Sequence, residues 1–186
     1  MANHVARIFD EYLVASARAG DRAALERIAQ HWQPKLYAHA YRLMGDAEQA
    51  RDVAQDGWAD IIKGLPALTE TKFFPAWAYR IITRRAADHI RRNIRKRRTD
   101  AAYAAEPETA DTSFKAIERS ADTAPLSRAI AELSPVQAAA ITLFYIDDFS
   151  IAEISVALEV PAGTVKTRLM HARHKLRAIL KGNANG

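Results

Sequence analysis

The chain has 186 residues, 49% of them hydrophobic, which is enough for one domain or two small ones with ordinary cores. Cysteine is absent, so disulfides, thiolate metal sites and thiol catalysis are excluded together, and a reducing cytoplasm suits the composition. The net charge of +5 and pI near 9.6 point to a polyanionic partner if the charge is localised. It is localised: between Arg80 and Arg98 nine basic residues face Asp88 alone, a net of +8 that leaves −3 for the rest of the chain. The N-terminus, MANHVARIFDEYLVASARAG, carries Asp10 and Glu11 inside its apolar pattern, so neither a signal peptide nor membrane insertion is expected.

Taken in order, Val5, Ile8, Phe9 and Tyr12 predict an amphipathic helix ending near Gly20, and Asp21 caps a second through Leu25, Ile28 and Trp32. Pro34 starts or kinks the next turn. Leu36, Tyr37, Ala40, Tyr41, Leu43 and Met44 then carry a helical pattern to Gly45, a natural C-terminal stop, and Asp46 caps the next helix. Along DAEQARDVAQDGWADIIKGL the residues Ala50, Val53, Ala54, Gly57, Trp58, Ile61 and Ile62 form a core stripe. Glu48, Asp52, Asp56 and Asp60 stand four apart on the outside, with only Arg51 and Lys63 to relieve a repulsion of about a few tenths of a kcal/mol per pair. Such a ridge is either a solvated face or a surface awaiting a basic partner.

After Gly64-Leu65-Pro66 and the loop ALTETK, the residues Phe73, Phe74, Trp77, Ala78, Ile81 and Ile82 open a helix that runs into the arginines. A helix exposing Arg80, Arg84 and Arg91, with aromatics at its start and a polar loop before it, suits unpaired or melting DNA. Most of the three aromatics are expected in the core, leaving the loop to touch bases. From Thr99 to about Thr123 the composition shifts to Ala, Thr, Glu and Asp with Pro107, which reads as a flexible acidic linker. Helices resume with Leu126, Ile130 and Leu133, and Ser134-Pro135-Val136-Gln137 is a capping box for a helix packed through Val136, Ala139, Ala140, Leu143 and Phe144.

The stretch SIAEISVALEVPAGTVKTRLMHARHKLRAIL reads as a helix-turn-helix. Ser150 and Glu153 form a capping box, and Ile151, Ile154 and Leu158 make one apolar face before Pro161 begins the second helix. There Val165, Leu169, Ala172 and Leu176 share the buried face, while Gly163, Thr167, Met170, His171 and His174 occupy the opposite arc. Lys166, Arg173 and Arg177 flank that arc on one side, Arg168 and Lys175 on the other. A major-groove reader needs short side chains for base edges at the centre and cations for both phosphate walls. No Asp or Glu follows Glu159, whereas an ordinary solvated helix face mixes signs. Glu159 sits where a helix ending at Leu158 would favour Gly, at a cost of about 1 kcal/mol in the left-handed region.

The ridge, loop and arginine unit, together with LSPVQAAAITLFYIDDFSIAEISVALEVPAGTVKTRLMHARHKLR, resembles a bacterial RNA polymerase sigma factor of the extracytoplasmic-function class over nearly the whole chain. The resemblance implies an all-α fold of two small helical domains, residues 1–98 and 124–186, joined by a flexible linker over 99–123. It implies core-polymerase binding by Asp52, Gln55 and Asp56, which would face the clamp helices of the beta-prime subunit, and a second contact with the beta flap. FFPAWAYRIITRRAADHIRR resembles the region that melts and reads the minus-ten element, which carries DNA contacts over to Arg80, Thr83, Arg84, Asp88 and Arg91. VPAGTVKTRLMHARHKLR resembles the helix that reads the minus-thirty-five element, carrying contacts over to Thr164, Lys166, Thr167, Arg168, Met170, His171 and Arg173. Promoter DNA is the implied ligand, sequestration by an anti-sigma factor is the implied control, and the implied location is cytoplasmic.

Three positions depart from the family pattern: Arg84 stands where Asn is usual, His171 where many members have Arg, and Glu159 where Gly is usual. Nothing after Leu180 suggests a further domain. The other function weighed is a stand-alone helix-turn-helix regulator whose first domain senses a ligand or dimerises. An enzyme fits worst: the six histidines show no metal spacing with carboxylates, and no phosphate loop or nucleophile motif occurs, so no cofactor, metal or catalytic residue is expected.

Overall fold

The computed structural model describes residues 2–101 and 124–183. These form eight α-helices and two short 3-10 turns, with no strand among the described residues. The helices are α1 (Ala2–Arg18), α2 (Arg22–Met44), α3 (Ala47–Gly64), α4 (Phe74–Ala101), α5 (Ala124–Ala131), α6 (Pro135–Tyr145), α7 (Ile151–Leu158) and α8 (Ala162–Asn183). The 3-10 turns, Leu65–Ala67 and Thr71–Phe73, bracket the loop between α3 and α4. The expected linker lies outside the described residues except for residues 99–101, which still belong to the long helix α4.

Helix boundaries fall where capping chemistry puts them. The Asp21 carboxylate accepts from the amides of Ala23 and Ala24, and Asp46 accepts from Gln49 at 2.8 Å. Gly45 closes α2 at φ 71°, a left-handed turn that glycine adopts without steric cost. At the start of α7 the Ser150 amide donates to Glu153 Oε2 at 2.7 Å, and the Glu153 amide donates to Ser150 Oγ at 3.2 Å. Of the two expectations for Pro34, the start of a new helix is not met, since α2 runs through it. The helix continues through it because Pro34 and the residue one turn before it, Gln30, are both exposed, so the carbonyl deprived of a donor has solvent access.

The first domain packs α1 to α4 around Val14, Ile28, Leu36, Val53, Ile61, Phe74, Tyr79 and Ile82, all essentially inaccessible. Gly57 lets α3 approach α4: a Cβ there would lie 2.3 Å from Ile82 Cδ1. On α1 the buried stripe is Leu13 and Val14 with Ala17 beside them, whereas Ile8, Phe9 and Tyr12, expected in the core, are more than half exposed. The helix is rotated because Asp10 can face inward: His31 Nε2 stands 3.8 Å from its carboxylate, and burial raises the Asp10 pKa against the lowering by His31 and Lys35. Ile62 and Val136 are likewise exposed rather than packed. The second domain is built on Leu143, Ile154 and Val165, with Leu169 and Ala172 continuing the buried face of α8. The two domains touch, α4 lying on α7 and α2 on α6.

Candidate nucleic-acid and polymerase interfaces

Asp52, Gln55 and Asp56 are exposed on α3. They line a cleft of about 420 Å³ whose other wall is His89, Arg92 and Asn93 of α4. Asn93 Nδ2 donates to Gln49 Oε1 at 3.1 Å and ties the two walls together. Asp60 departs from the expected ridge: Arg85 grips it with two hydrogen bonds at 2.5 and 2.6 Å, a fork to which both partners' geometry is suited. The hydrogen bonds from Arg85 hold the Asp60 carboxyl below its ordinary value and raise the guanidinium in turn. Arg85 is therefore a brace between α3 and α4, and the free ridge shortens to its N-terminal part.

Helix α4 presents the other assigned residues along one side. Arg84 and Arg91 are exposed and Arg80 is half-buried. Asp88 pairs with Arg91 one turn on, and that hydrogen bond lowers the Asp88 pKa. Thr83 is half-buried, and its hydroxyl donates to the Tyr79 carbonyl at 2.9 Å while standing 2.9 Å from His39 Nε2. With its proton committed to Tyr79, Thr83 Oγ1 accepts from His39, which fixes the imidazole as the Nε2–H tautomer. Burial, aided by Arg42, pushes His39 down to about 3, so it stays neutral beneath α4. Of the three aromatics that open this region, Phe74 is fully buried and Trp77 packs against Gly64, whereas Phe73 is exposed with Lys72 Nζ 4.8 Å over its ring.

On α8 the arc opposite the buried stripe is open. Lys166, Thr167, Met170, His171 and Arg173 are exposed, and Thr164 and Arg168 are half-buried. Burial lowers the Arg168 pKa. The Thr167 hydroxyl donates to the Gly163 carbonyl at 3.1 Å and Arg173 Nε to the Leu169 carbonyl at 3.2 Å, which holds both side chains against the helix. Lys175 Nζ donates to the Glu132 carbonyl at 2.5 Å, so this cation ties α8 to the turn that follows α5.

A third set of residues, which no local sequence pattern marks, joins the domains. Tyr79 donates its hydroxyl to Asp147 at 2.9 Å, and its ring meets Phe149 edge-on at 5.2 Å. Burial, with Asp147 adding to it, pushes the Tyr79 phenol well above its ordinary value. Arg80 Nε lies 2.8 Å and Arg84 Nε 3.2 Å from Glu159 Oε1. Arg7 donates to the Asp148 carbonyl at 2.8 Å and reaches Glu153 Oε1 at 3.3 Å. Only the misfit of Glu at a helix C-cap hinted at any of this.

The geometry defines a chain with an acidic face on one helix and basic faces on two others, distributed over two helical domains. Residues 28–96 match the Sigma-70 region 2 family and residues 123–176 match Sigma-70, region 4. The chain is 28% identical over 183 residues to the ECF RNA polymerase sigma factor SigW of Bacillus subtilis, covering 90% of this chain and 95% of that one. It is 30% identical over 173 residues to SigL of Mycobacterium tuberculosis, also an ECF RNA polymerase sigma factor, with 90% and 95% covered. In fold it is similar to RpoE of Bartonella quintana, solved with the anti-sigma factor NepR, at a TM-score of 0.64 and 24% identity over 84% of this chain and 96% of that one. The chain belongs to the extracytoplasmic-function class of RNA polymerase sigma factors. It directs promoter-specific transcription. No helix among the described residues is long and apolar enough to cross a membrane.

Proposed function

We propose that this sigma factor docks on core RNA polymerase through Asp52, Gln55 and Asp56, reads and melts the minus-ten element with α4, and reads the minus-thirty-five element with α8. The observation that carries this reading is the segregation of charge. The three polymerase-contacting residues lie exposed on α3 with Asp60 already neutralised by Arg85. Although Arg92 walls the same cleft, Arg80, Arg84 and Arg91 leave α4 on the opposite side by helical phase, and the cations of α8 stand on a helix of their own. A basic partner surface and a polyanion can then be held at once without crossing signs.

On α4, Arg80, Arg84 and Arg91 meet phosphates or bases, Asp88 orients Arg91, and Thr83 positions the helix through His39 and Tyr79. On α8, Thr167, Met170 and His171 form the centre of the reading arc, and Thr164, Lys166, Arg168 and Arg173 lie along the groove walls. The beta flap is the second polymerase contact, an anti-sigma factor is the controlling partner, and the protein works in the cytoplasm as a binding subunit without covalent chemistry of its own. The test is a pull-down on core polymerase with Asp52→Lys combined with Asp56→Lys. Both side chains are exposed, so the fold stays intact and association is lost; unchanged association would remove the α3 assignment.

A further inference from the structure

We propose that Glu159 stands in for a DNA phosphate on Arg80 and Arg84, so that closure of the two domains and engagement of the minus-ten strand compete for the same two guanidiniums. The inference rests on the reading of Arg80 and Arg84 as DNA contacts and adds a built-in competitor to it. One carboxylate oxygen, Glu159 Oε1, receives both arginines, at 2.8 and 3.2 Å, as a phosphate oxygen would.

Glu159 is the left-handed C-cap of α7, a position that favours Gly, and it is the side chain carried there that brings a carboxylate to the boundary. Among the described residues the non-glycine positions with positive φ are Asp148 at 57° and Glu159 at 51°, and both lie on the domain boundary. Strained left-handed residues persist where the surroundings over-determine them. Here Arg7 holds the Asp148 carbonyl, and Arg80 with Arg84 holds the Glu159 side chain. Between them Tyr79 and Phe149, both nearly inaccessible, form an apolar plug that opening of the domains would expose.

Geometry makes this closed state incompatible with promoter engagement. Elements centred near minus ten and minus thirty-five lie about 25 base pairs apart, or about 85 Å at 3.4 Å per step. In the closed chain the turn that precedes the recognition helix touches the minus-ten helix directly. The recognition arc of α8 stays exposed throughout, so closure masks one reader and leaves the other open.

The test measures binding of a single-stranded minus-ten oligonucleotide to the full free chain and to its Glu159→Asn variant, Asn being a residue that tolerates the left-handed region. Two partly exposed ion pairs predict about five-fold tighter binding by the variant, because apparent affinity follows the open fraction even when that fraction is small. In the holoenzyme, already open, the substitution has no such effect, and Glu132→Gln in the same domain controls for the loss of one negative charge. Equal affinity of the native and Glu159→Asn free chains, or an equal gain from Glu132→Gln, would overturn the proposal. The DNA reading itself is scored separately: Arg80→Ala with Arg84→Ala in the Glu159→Asn chain should cost the oligonucleotide affinity. If it does not, the α4 assignment falls. Spin labels at Arg22→Cys and Ala178→Cys, in a chain with no native cysteine, should show a larger open population in the Glu159→Asn chain than in the native one, and equal populations would overturn the proposal.

Discussion

His39 makes the stability of the first domain depend on pH in a way that can be worked out from its surroundings. Its imidazole is fully buried, and burial pushes its pKa from 6.5 down to about 3. A base with a depressed folded-state pKa contributes stability that is complete above the unfolded value and is lost as pH falls, because the unfolded chain takes up a proton that the folded chain refuses. The window runs from about pH 6.5 downward, with a limiting slope of about 1.4 kcal/mol per pH unit. Between pH 7 and pH 5 the loss is about 2 kcal/mol from this residue alone, against a typical total of about 5–15. Urea unfolding of the native chain and of His39→Gln at both pH values isolates it: the native chain should lose about 2 kcal/mol more than the variant. A direct check is the NMR titration of His39, which should show no protonation at pH 5. A midpoint above pH 5.5, or equal losses in the two chains, would refute the account of Thr83 and His39 as a neutral pair supporting α4.

Gly57→Ala should lower stability by about 1–2 kcal/mol in thermal or chemical unfolding, because a methyl group 2.3 Å from Ile82 Cδ1 drives that fully buried side chain from its packed rotamer, which outweighs the better helix propensity. Arg80→Ala with Arg91→Ala should weaken promoter opening by the holoenzyme and make the salt dependence shallower by about one unit for each phosphate left without its cation; an unchanged slope would make these arginines structural. His171→Arg should shift one preferred base of the minus-thirty-five element toward guanine by about 1–3 kcal/mol, whereas Lys166→Ala should weaken all sequences alike, as read by selection from a randomised upstream element.

Local signals in the sequence carried most of the fold. Asp21, Gly45, Asp46 and the Ser150–Glu153 box each act through their own few neighbours, so their consequences are readable without knowing the tertiary structure. The faces of α8, and those of α3 apart from Ile62 and Asp60, were legible for the same reason, each helix having one main apolar stripe. Helix α1 was not: its true stripe includes Asp10, which periodicity rejects and which the approach of His31 and Lys35 from α2 makes tolerable. Arg85 looked like part of the basic run because its partner, Asp60, is 25 positions away on another helix. The domain boundary was invisible for the same cause, since Tyr79, Arg80 and Arg84 meet Asp147 and Glu159 across more than sixty residues of chain. Helical caps are written in sequence; which helix lies beside which is not.

On this account the chain supplies promoter specificity only as a subunit of polymerase. A promoter library randomised at both upstream elements, selected with core polymerase, with the chain alone and with the two together, tests it most directly. Enrichment of two elements at one fixed spacing is expected when core and chain are combined, and no such pair with either alone. Selection of paired half-sites by the chain without core would contradict the claim and would make the protein a self-sufficient DNA-binding regulator.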